Sequence, residues 1–261
     1  MALFPGNLRR VARTNVALCY PELPPREQAR RVRAGLANTA RAATESAALW
    51  LWPRERALAL VVETRGEEHL RAAMAAGKGA ILAGPHIGAW ELVGLYCGAR
   101  YPMTALYRPL RLAELDALVH QAREKSGATL VPTDARGIRS LYQAMARGDA
   151  VGILPDQEPG GGAGVFAPFF GVPAYTMVLL SRMAAKAGAP VIFTFAERLP
   201  RGRGFRMHFI PAPEGIADPD PVVAATALNR GVEQCIAIAP DQYQWAYKRF
   251  RSRPDGEPRF Y

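Results

Sequence analysis

Cysteine is scarce in this sequence, and its three copies, Cys19, Cys97 and Cys235, stand far apart. An odd, widely spaced set without a C-x-x-C pair indicates neither a disulfide framework nor a zinc site, so a reducing compartment is expected. The sequence also lacks any run of about 18 uninterrupted apolar residues, the length a spanning helix needs. Its opening, MALFPGNLRRVARTN, has neither the apolar core nor the cleavage site of a signal peptide. The chain as given is therefore expected to be soluble or peripheral. No H-E-x-x-H, G-x-S-x-G or G-x-x-x-x-G-K-[ST] occurs, so a zinc protease, a serine hydrolase and a nucleotide-binding loop are unsupported. The segment GGGAG at 160–164 is not followed by Lys and is a poor phosphate cradle. His69, His120 and His208 fall on predicted helix or strand surfaces with no second ligand at metal spacing, and read as incidental.

What is present is ordinary for one folded domain: 261 residues, 49% hydrophobic and 21% charged, enough for a single sizeable core. The formal net charge of +10 favours acidic partners, whether nucleic acid, an anionic membrane surface or an acidic carrier protein. Charge alone does not choose among them, and no recognised nucleic-acid module supports the first.

Along the chain, residues 1–14 mix Leu3, Phe4 and Val11 with Arg9, Arg10 and Arg13, a short basic amphipathic stretch suited to a lipid surface or to a frayed terminus. From Pro24 the spacing predicts one long helix ending at Trp50, Trp52 and Pro53. Residues 1–53 are thus read as a basic, amphipathic helical segment, and residues 54–261 as one α/β unit.

That unit alternates helix EEHLRAAMAAGKG, strand AILAG, helix AWELVGLYCGA, strand MTALY, helix LAELDALVHQAREKSG, strand TLVP, helix ARGIRSLYQAMARG and strand AVGIL. The rhythm predicts a mostly parallel mixed sheet flanked by helices. Gly79, Gly127 and Gly148 fall where helices should stop before buried strands. Residues 156–174 are too rich in Gly and Pro for either regular element and read as a long functional loop. A helix over 175–188, strands APVIFTFAE and FRMHFIP around a turn at PRGRG, helix VVAATALNRGVEQCIAIA and a basic aromatic tail from Gln242 complete the chain.

The chemistry concentrates in PHIGAWE, which places His86 just past a strand and Glu91 just inside the next helix, where open α/β sheets present ligands. Five residues apart in one continuous helix would put the two side chains on faces about 140° apart. They meet only if His86 precedes the helix, and Pro85 and Gly88 make such a turn plausible. There a His takes a proton from an attacking hydroxyl, while a carboxylate accepts its other ring N–H. A structural His beside Trp90 is the rival reading.

Arg108 ends strand MTALY, Arg123 follows in the next helix and Arg139 lies in helix ARGIRSL; guanidinium groups near strand ends suit phosphate oxygens, and solvated surface charge is the alternative. Asp156 and Gln157 follow strand AVGIL, where an acid suits holding an Arg or a sugar hydroxyl, or simply caps a turn. Phe166, Phe169 and Phe170 interleave with Gly and Pro and suit either a mobile apolar wall or core packing.

The ordered blocks N-V-A-L-C-Y-P-E-L at 15–23, His86 to Glu91, Tyr107-Arg108-Pro109, Gly137-Ile138-Arg139, Pro155-Asp156-Gln157, Phe169-Phe170-Gly171 with Thr176, and Gln242-Tyr243-Gln244-Trp245 running into Arg249-Phe250 carry a resemblance. Across nearly its whole length the chain resembles the bacterial lipid A biosynthesis acyltransferases, the lauroyl and myristoyl transferases of the lysophospholipid acyltransferase superfamily. The resemblance implies transfer of an acyl chain from acyl carrier protein, or coenzyme A, to a hydroxyl of a phosphorylated lipid A precursor. It implies no metal or redox cofactor, and no nucleic-acid partner. The expected place is the cytoplasmic face of the bacterial inner membrane, held peripherally on anionic lipid. In that reading His86 is the general base and Glu91 its orienting partner. Arg108, Arg123, Arg139, Asp156, Gln157 and Thr176 are expected to bind substrate or organise the site.

Two departures stand out. Members usually begin with an apolar anchoring helix ahead of the block at Asn15, so a shorter peripheral variant or a truncated start is expected here. The family tends to carry His where Tyr247 stands, which leaves another lysolipid, glycolipid or aminolipid open as acceptor. A non-catalytic basic lipid- or nucleic-acid-binding domain is the reading from a different class.

Overall fold

A computed structural model describes residues 6–107, 109 and 113–261. The chain opens with helix α1 (Gly6–Cys19), then the long α2 (Pro25–Leu51) and the short α3 (Arg54–Leu58). Pro25 starts α2, because a helix's first residue has no N–H partner to lose. Pro53 follows its end, where the residue before a proline is pushed out of helical geometry. Alternation then sets in: β1 (Val61–Arg65), α4 (Glu67–Ala75), β2 (Ala80–Ala83), α5 (Trp90–Gly98), β3 (Met103–Tyr107), α6 (Ala113–Glu124), β4 (Thr129–Pro132), α7 (Ala135–Ala146) and β5 (Ala150–Ile153). The remainder comprises β6 (Gly164–Phe169), β7 (Val172–Met177), α8 (Leu179–Ala187), β8 (Val191–Arg198), β9 (Phe205–Pro211) and α9 (Pro221–Ile238).

Among the described residues seven strands form one sheet in the order β1-β9-β8-β2-β5-β3-β4, in which only the β8–β9 pair is antiparallel. The fold is a single α/β domain with a mostly parallel mixed sheet flanked by helices, as the alternation predicted. β2 and β5 are buried at every residue, which is why AILA and AVGI run apolar or small instead of alternating with polar residues. Gly79, Gly127 and Gly148 all have positive φ, as expected of helix-stop glycines. One apolar layer packs Leu141, Leu180, Phe193 and Leu228 on one face of the sheet, and another packs Leu70, Leu92, Tyr96 and Phe209 on the other.

Four expectations are corrected. β1 and α3 are absent from the sequence reading, and β1 adds a strand beside β9. The segment 156–174 is irregular only in its first half, because β6 and β7 pair as an antiparallel hairpin. Phe170 and Gly171, at φ 49° and 76°, form the two-residue turn with positive φ that matches strand twist. Pro168 and Pro173 face each other across the hairpin, which tolerates proline because it is a separate two-stranded sheet with open edges. In consequence the helix predicted from 175 begins at Leu179.

The basic N-terminal stretch, as far as it is described, is neither frayed nor wholly presented to a surface. α1 buries Val11, Ala12, Val16 and Cys19, while Arg9, Arg10 and Arg13 stay exposed. Leu3 and Phe4 lie outside the described residues. The Asn15 amide donates to the carbonyls of Trp245 and Tyr247 at 2.7 and 2.6 Å, tying the two ends of the chain together. Among the described residues no helix is long and apolar enough to cross a membrane. All three cysteines are free and buried, and burial pushes their thiols upward, away from reactivity.

Candidate active site

β2 ends at Ala83 and β5 at Ile153, and those two residues are register partners in adjacent parallel strands. His86 and Asp156 each lie three residues further on, so the sheet delivers them to the same place at its carboxyl edge. Both Asp156 oxygens are used: Oδ1 lies 2.8 Å from His86 Nδ1, and Oδ2 accepts the His86 backbone N–H at 3.0 Å. Asp156 is buried to 2% exposure. Burial pushes its carboxyl up, but the charge of His86 and its ring and backbone hydrogen bonds outweigh that and hold it below the usual carboxylate range. An ionised Asp156 only accepts hydrogen bonds, so Nδ1 carries a proton, and in the neutral ring that can act as a base Nε2 presents its lone pair.

The turn that frees His86 from the helix is the one expected at Gly88. Gly88 has φ +62°, and a Cβ there would sit 2.0 Å from the Ala196 carbonyl oxygen, so glycine is required twice over. The Gly88 N–H donates to Gln242 and Ala89 to Ala196, while the His86 carbonyl accepts from Gln244. These bonds pin the loop between the end of β8 and the C-terminal segment, and α5 then starts at Trp90.

Glu91 does not orient His86 in this structure, and here the sequence expectation is corrected. It lies in the first turn of α5, 8% exposed, and its two oxygens accept from Nε and Nη2 of Arg123 on α6 at 3.0 and 2.5 Å. This two-bond fork occupies the carboxylate. The position at Nδ1 is taken by Asp156, which arrives from the neighbouring strand in register. Arg123 also sits over the rings of Tyr107 and Trp90, at 5.1 and 5.7 Å from their centroids.

A cleft of about 310 Å³ opens beside these groups. His86, Trp90, Glu91 and Arg123 line one side of it, and Thr39, Ala42, Ser46 and Trp50 of α2 also line it. Gln242 and Gln244 complete the wall. The Gln157 amide nitrogen lies 3.3 Å from His86 Nε2 and 3.4 Å from Gln244 Oε1. The site therefore gathers His86, Asp156 and Gln157 directly, with Glu91 and Arg123 as a second unit on the same cleft.

Other expected residues fall elsewhere. Arg108 lies outside the described residues. Arg139 is exposed on α7, and its side chain makes no hydrogen bond or ion pair among the described residues. Thr176 is fully buried, with its hydroxyl bonded to Asn229 and Arg249, so it anchors the hairpin to α9 and the C-terminal tail. Asp156 was expected to hold an Arg or a sugar hydroxyl and instead holds His86. Phe169 is buried in the core, and Phe170 packs against Tyr20 and Trp245, so both take the packing role.

His208, expected on a surface, is buried; it stacks on Phe195 and lies 2.8 Å from Glu197. Tyr247 accepts the Glu158 backbone N–H at 2.9 Å. The residues the sequence reading did not assign to the site are Gln242, Gln244 and the α2 wall. The block Gln242-Tyr243-Gln244-Trp245 was the signal available for the first two. Among the described residues no group of three or more His, Cys, Asp or Glu is placed to hold a metal ion.

Residues 1–252 match the family described as bacterial lipid A biosynthesis acyltransferase. The chain is 30% identical over 253 residues to a lipid A biosynthesis lauroyltransferase of Escherichia coli, covering 97% of this chain and 82% of that one. It is 29% identical over 255 residues to a lipid A biosynthesis palmitoleoyltransferase of the same organism, covering 96% and 81%. A phosphatidylinositol mannoside acyltransferase of Mycobacterium tuberculosis is 31% identical over 147 residues, covering 55% of this chain and 46% of that one. The chain belongs to the bacterial lipid A biosynthesis acyltransferase family.

Proposed function

We propose that this chain is an O-acyltransferase that moves a fatty acyl group from a thioester donor, acyl carrier protein or coenzyme A, to a hydroxyl of a lipid A precursor. The observation that carries the reading is His86, with Nδ1 fixed on a buried carboxylate and Nε2 left as an acceptor next to a cleft. His86 Nε2 takes the proton of the acceptor hydroxyl as its oxygen attacks the thioester carbonyl carbon. The carbonyl π pair moves to oxygen, and Asp156 stabilises the imidazolium that forms. Collapse of the tetrahedral intermediate re-forms the carbonyl, breaks the C–S bond and expels the thiolate, which receives the proton from Nε2. An ester and a free thiol result, with no electron gained or lost.

Arg123, held by Glu91 and faced by Trp90, suits an anionic oxygen of the donor or acceptor at the cleft. The basic balance of the chain favours an acidic carrier protein and an anionic lipid surface, consistent with peripheral attachment at the cytoplasmic face of the inner membrane. The test is incubation of the purified chain with acyl carrier protein and coenzyme A thioesters and a lipid A precursor, read as the mass shift of the intact lipid. Unchanged transfer by His86→Ala would overturn the mechanism.

A second acceptor class has its own support. The relative from Mycobacterium tuberculosis is named for a phosphatidylinositol mannoside, and Tyr247 stands where the family tends to carry His. Lipid profiles of a deletion strain separate the two: loss of one secondary acyl chain from lipid A supports the first acceptor, and unchanged lipid A with another lipid lacking an acyl chain supports the second.

A further inference from the structure

A proton-accepting His needs a nearby donor for the oxyanion it helps create, and one polar chain in the site ends in such a donor. Asp156 is an acceptor only, so the Nδ1 proton points to it, and in the neutral imidazole that general-base catalysis requires Nε2 of His86 is an acceptor. The group 3.3 Å from Nε2 must therefore donate, which makes it the amide NH2 of Gln157. Its second hydrogen lies toward Gln244 Oε1 at 3.4 Å. The Gln244 main chain is itself held beside His86, because its backbone N–H donates to the His86 carbonyl at 3.1 Å. The direction of every hydrogen bond from Asp156 to Gln244 follows from the first.

Both amide contacts are at the long end of the hydrogen-bond range, so an incoming group displaces them at little cost. When an acceptor hydroxyl takes its place at Nε2, the Gln157 N–H is released beside the attacking oxygen. The carbonyl oxygen of the attacked thioester develops its charge one carbon away from that oxygen. We infer that Gln157 is the oxyanion donor of this site, and that Gln244 positions its amide. This rests on the acyl-transfer reading. As the hydroxyl oxygen bonds to the carbonyl carbon, the C=O π pair becomes the oxyanion lone pair and accepts the Gln157 N–H. The pair returns as the C–S bond breaks, and Gln157 neither gains nor loses a proton.

The experiment compares the wild-type chain with Gln157→Glu, Gln157→Ala, Gln244→Ala and the double variant Gln157→Ala/Gln244→Ala, using one acyl carrier protein thioester and a lipid A precursor. Gln157→Glu keeps the side-chain shape and loses the donor. Each Gln157 variant should lower kcat by about 10²–10³-fold, the usual effect of losing one oxyanion donor, with KM changed far less. Gln244→Ala should lower kcat less, and the double variant should be no slower than Gln157→Ala, because Gln244 acts through Gln157. The acid limb of the kcat/KM pH profile should stay in place in Gln157→Ala, whereas Gln157→Glu sets a carboxylate beside Nε2 and moves it for that reason alone, so the limb is read from the alanine variant. If Gln157 only held the imidazole, that limb would move and the plateau kcat would not fall. An unchanged kcat in Gln157→Glu with wild-type melting overturns the assignment, as does a double variant in which the two losses multiply. A wild-type chain that transfers no acyl group overturns the acyl-transfer reading and this assignment with it.

Discussion

Asp156 grips His86 twice, through the ring Nδ1 at 2.8 Å and the backbone N–H at 3.0 Å. One carboxylate thus fixes both the tautomer of the base and the loop that carries it. Asp156→Asn keeps the shape but removes the charge that stabilises the imidazolium and allows the amide to select the wrong tautomer. It should lower kcat by about 10³–10⁴-fold, as in Asp-supported His catalysis elsewhere. Single-turnover acyl transfer from a radiolabelled donor measures it, and a loss under tenfold would remove Asp156 from the mechanism.

Glu91 answers to a different partner, so its substitution should read differently. Glu91→Gln leaves the Arg123 guanidinium without its fork and should cost about 2 kcal/mol of stability. Arg123 is 25% exposed on its side chain, which tempers the cost below that of a fully buried pair. The substitution should raise KM more than it lowers kcat. Urea midpoints and steady-state kinetics of Glu91→Gln and Glu91→Gln/Arg123→Met distinguish this from a Glu91 that acts on His86, for which kcat would carry the loss.

Gly88 is a backbone requirement rather than a site residue. Gly88→Ala forces a Cβ against the Ala196 carbonyl at 2.0 Å in a positive-φ conformation. The cost should be at least about 2 kcal/mol, with the His86 loop displaced and activity lost. Circular dichroism melting together with activity of the folded fraction reports both.

Thr176 was expected to touch substrate and is instead an acceptor for the buried Arg249 guanidinium at 2.8 Å. Thr176→Val should destabilise by about 1–3 kcal/mol by leaving that N–H unpaired. The specific activity of the folded protein should be unchanged. A raised KM at full stability would restore the substrate role.

His208 gives the chain a pH dependence distinct from that of its activity. Burial pulls its pKa below the ordinary 6.5, and the Glu197 hydrogen bond offsets only part of that. Between the lowered folded value and 6.5 the unfolded chain binds more protons than the folded one. Stability therefore rises with pH across that window and falls as pH drops through it. Denaturant midpoints followed downward from neutral pH should show the loss, and His208→Gln should flatten it.

Much of this architecture was legible along the chain. The alternation of helix and strand, the apolar runs of β2 and β5, and the stop glycines are local features, and local physics is written in order. The placement of His86 before a helix follows the same logic, since Gly88 makes the turn and Pro85 precedes it. What escaped was pairing across the fold. Glu91 is five residues from His86 and Asp156 seventy, so proximity in sequence favoured the wrong acid. The hairpin at 164–177 escaped because Gly and Pro weaken strands in a wide sheet, yet are admissible in a two-stranded one.

By itself the sequence determined a parallel α/β domain with a histidine at its carboxyl edge, because strand burial, helix spacing and turn chemistry are all set by near neighbours. Only the tertiary structure decided which carboxylate that histidine meets. β2 and β5 are separated by three helices and two strands along the chain and become neighbours only when the sheet orders itself, and it is their register, Ala83 opposite Ile153, that brings Asp156 to His86.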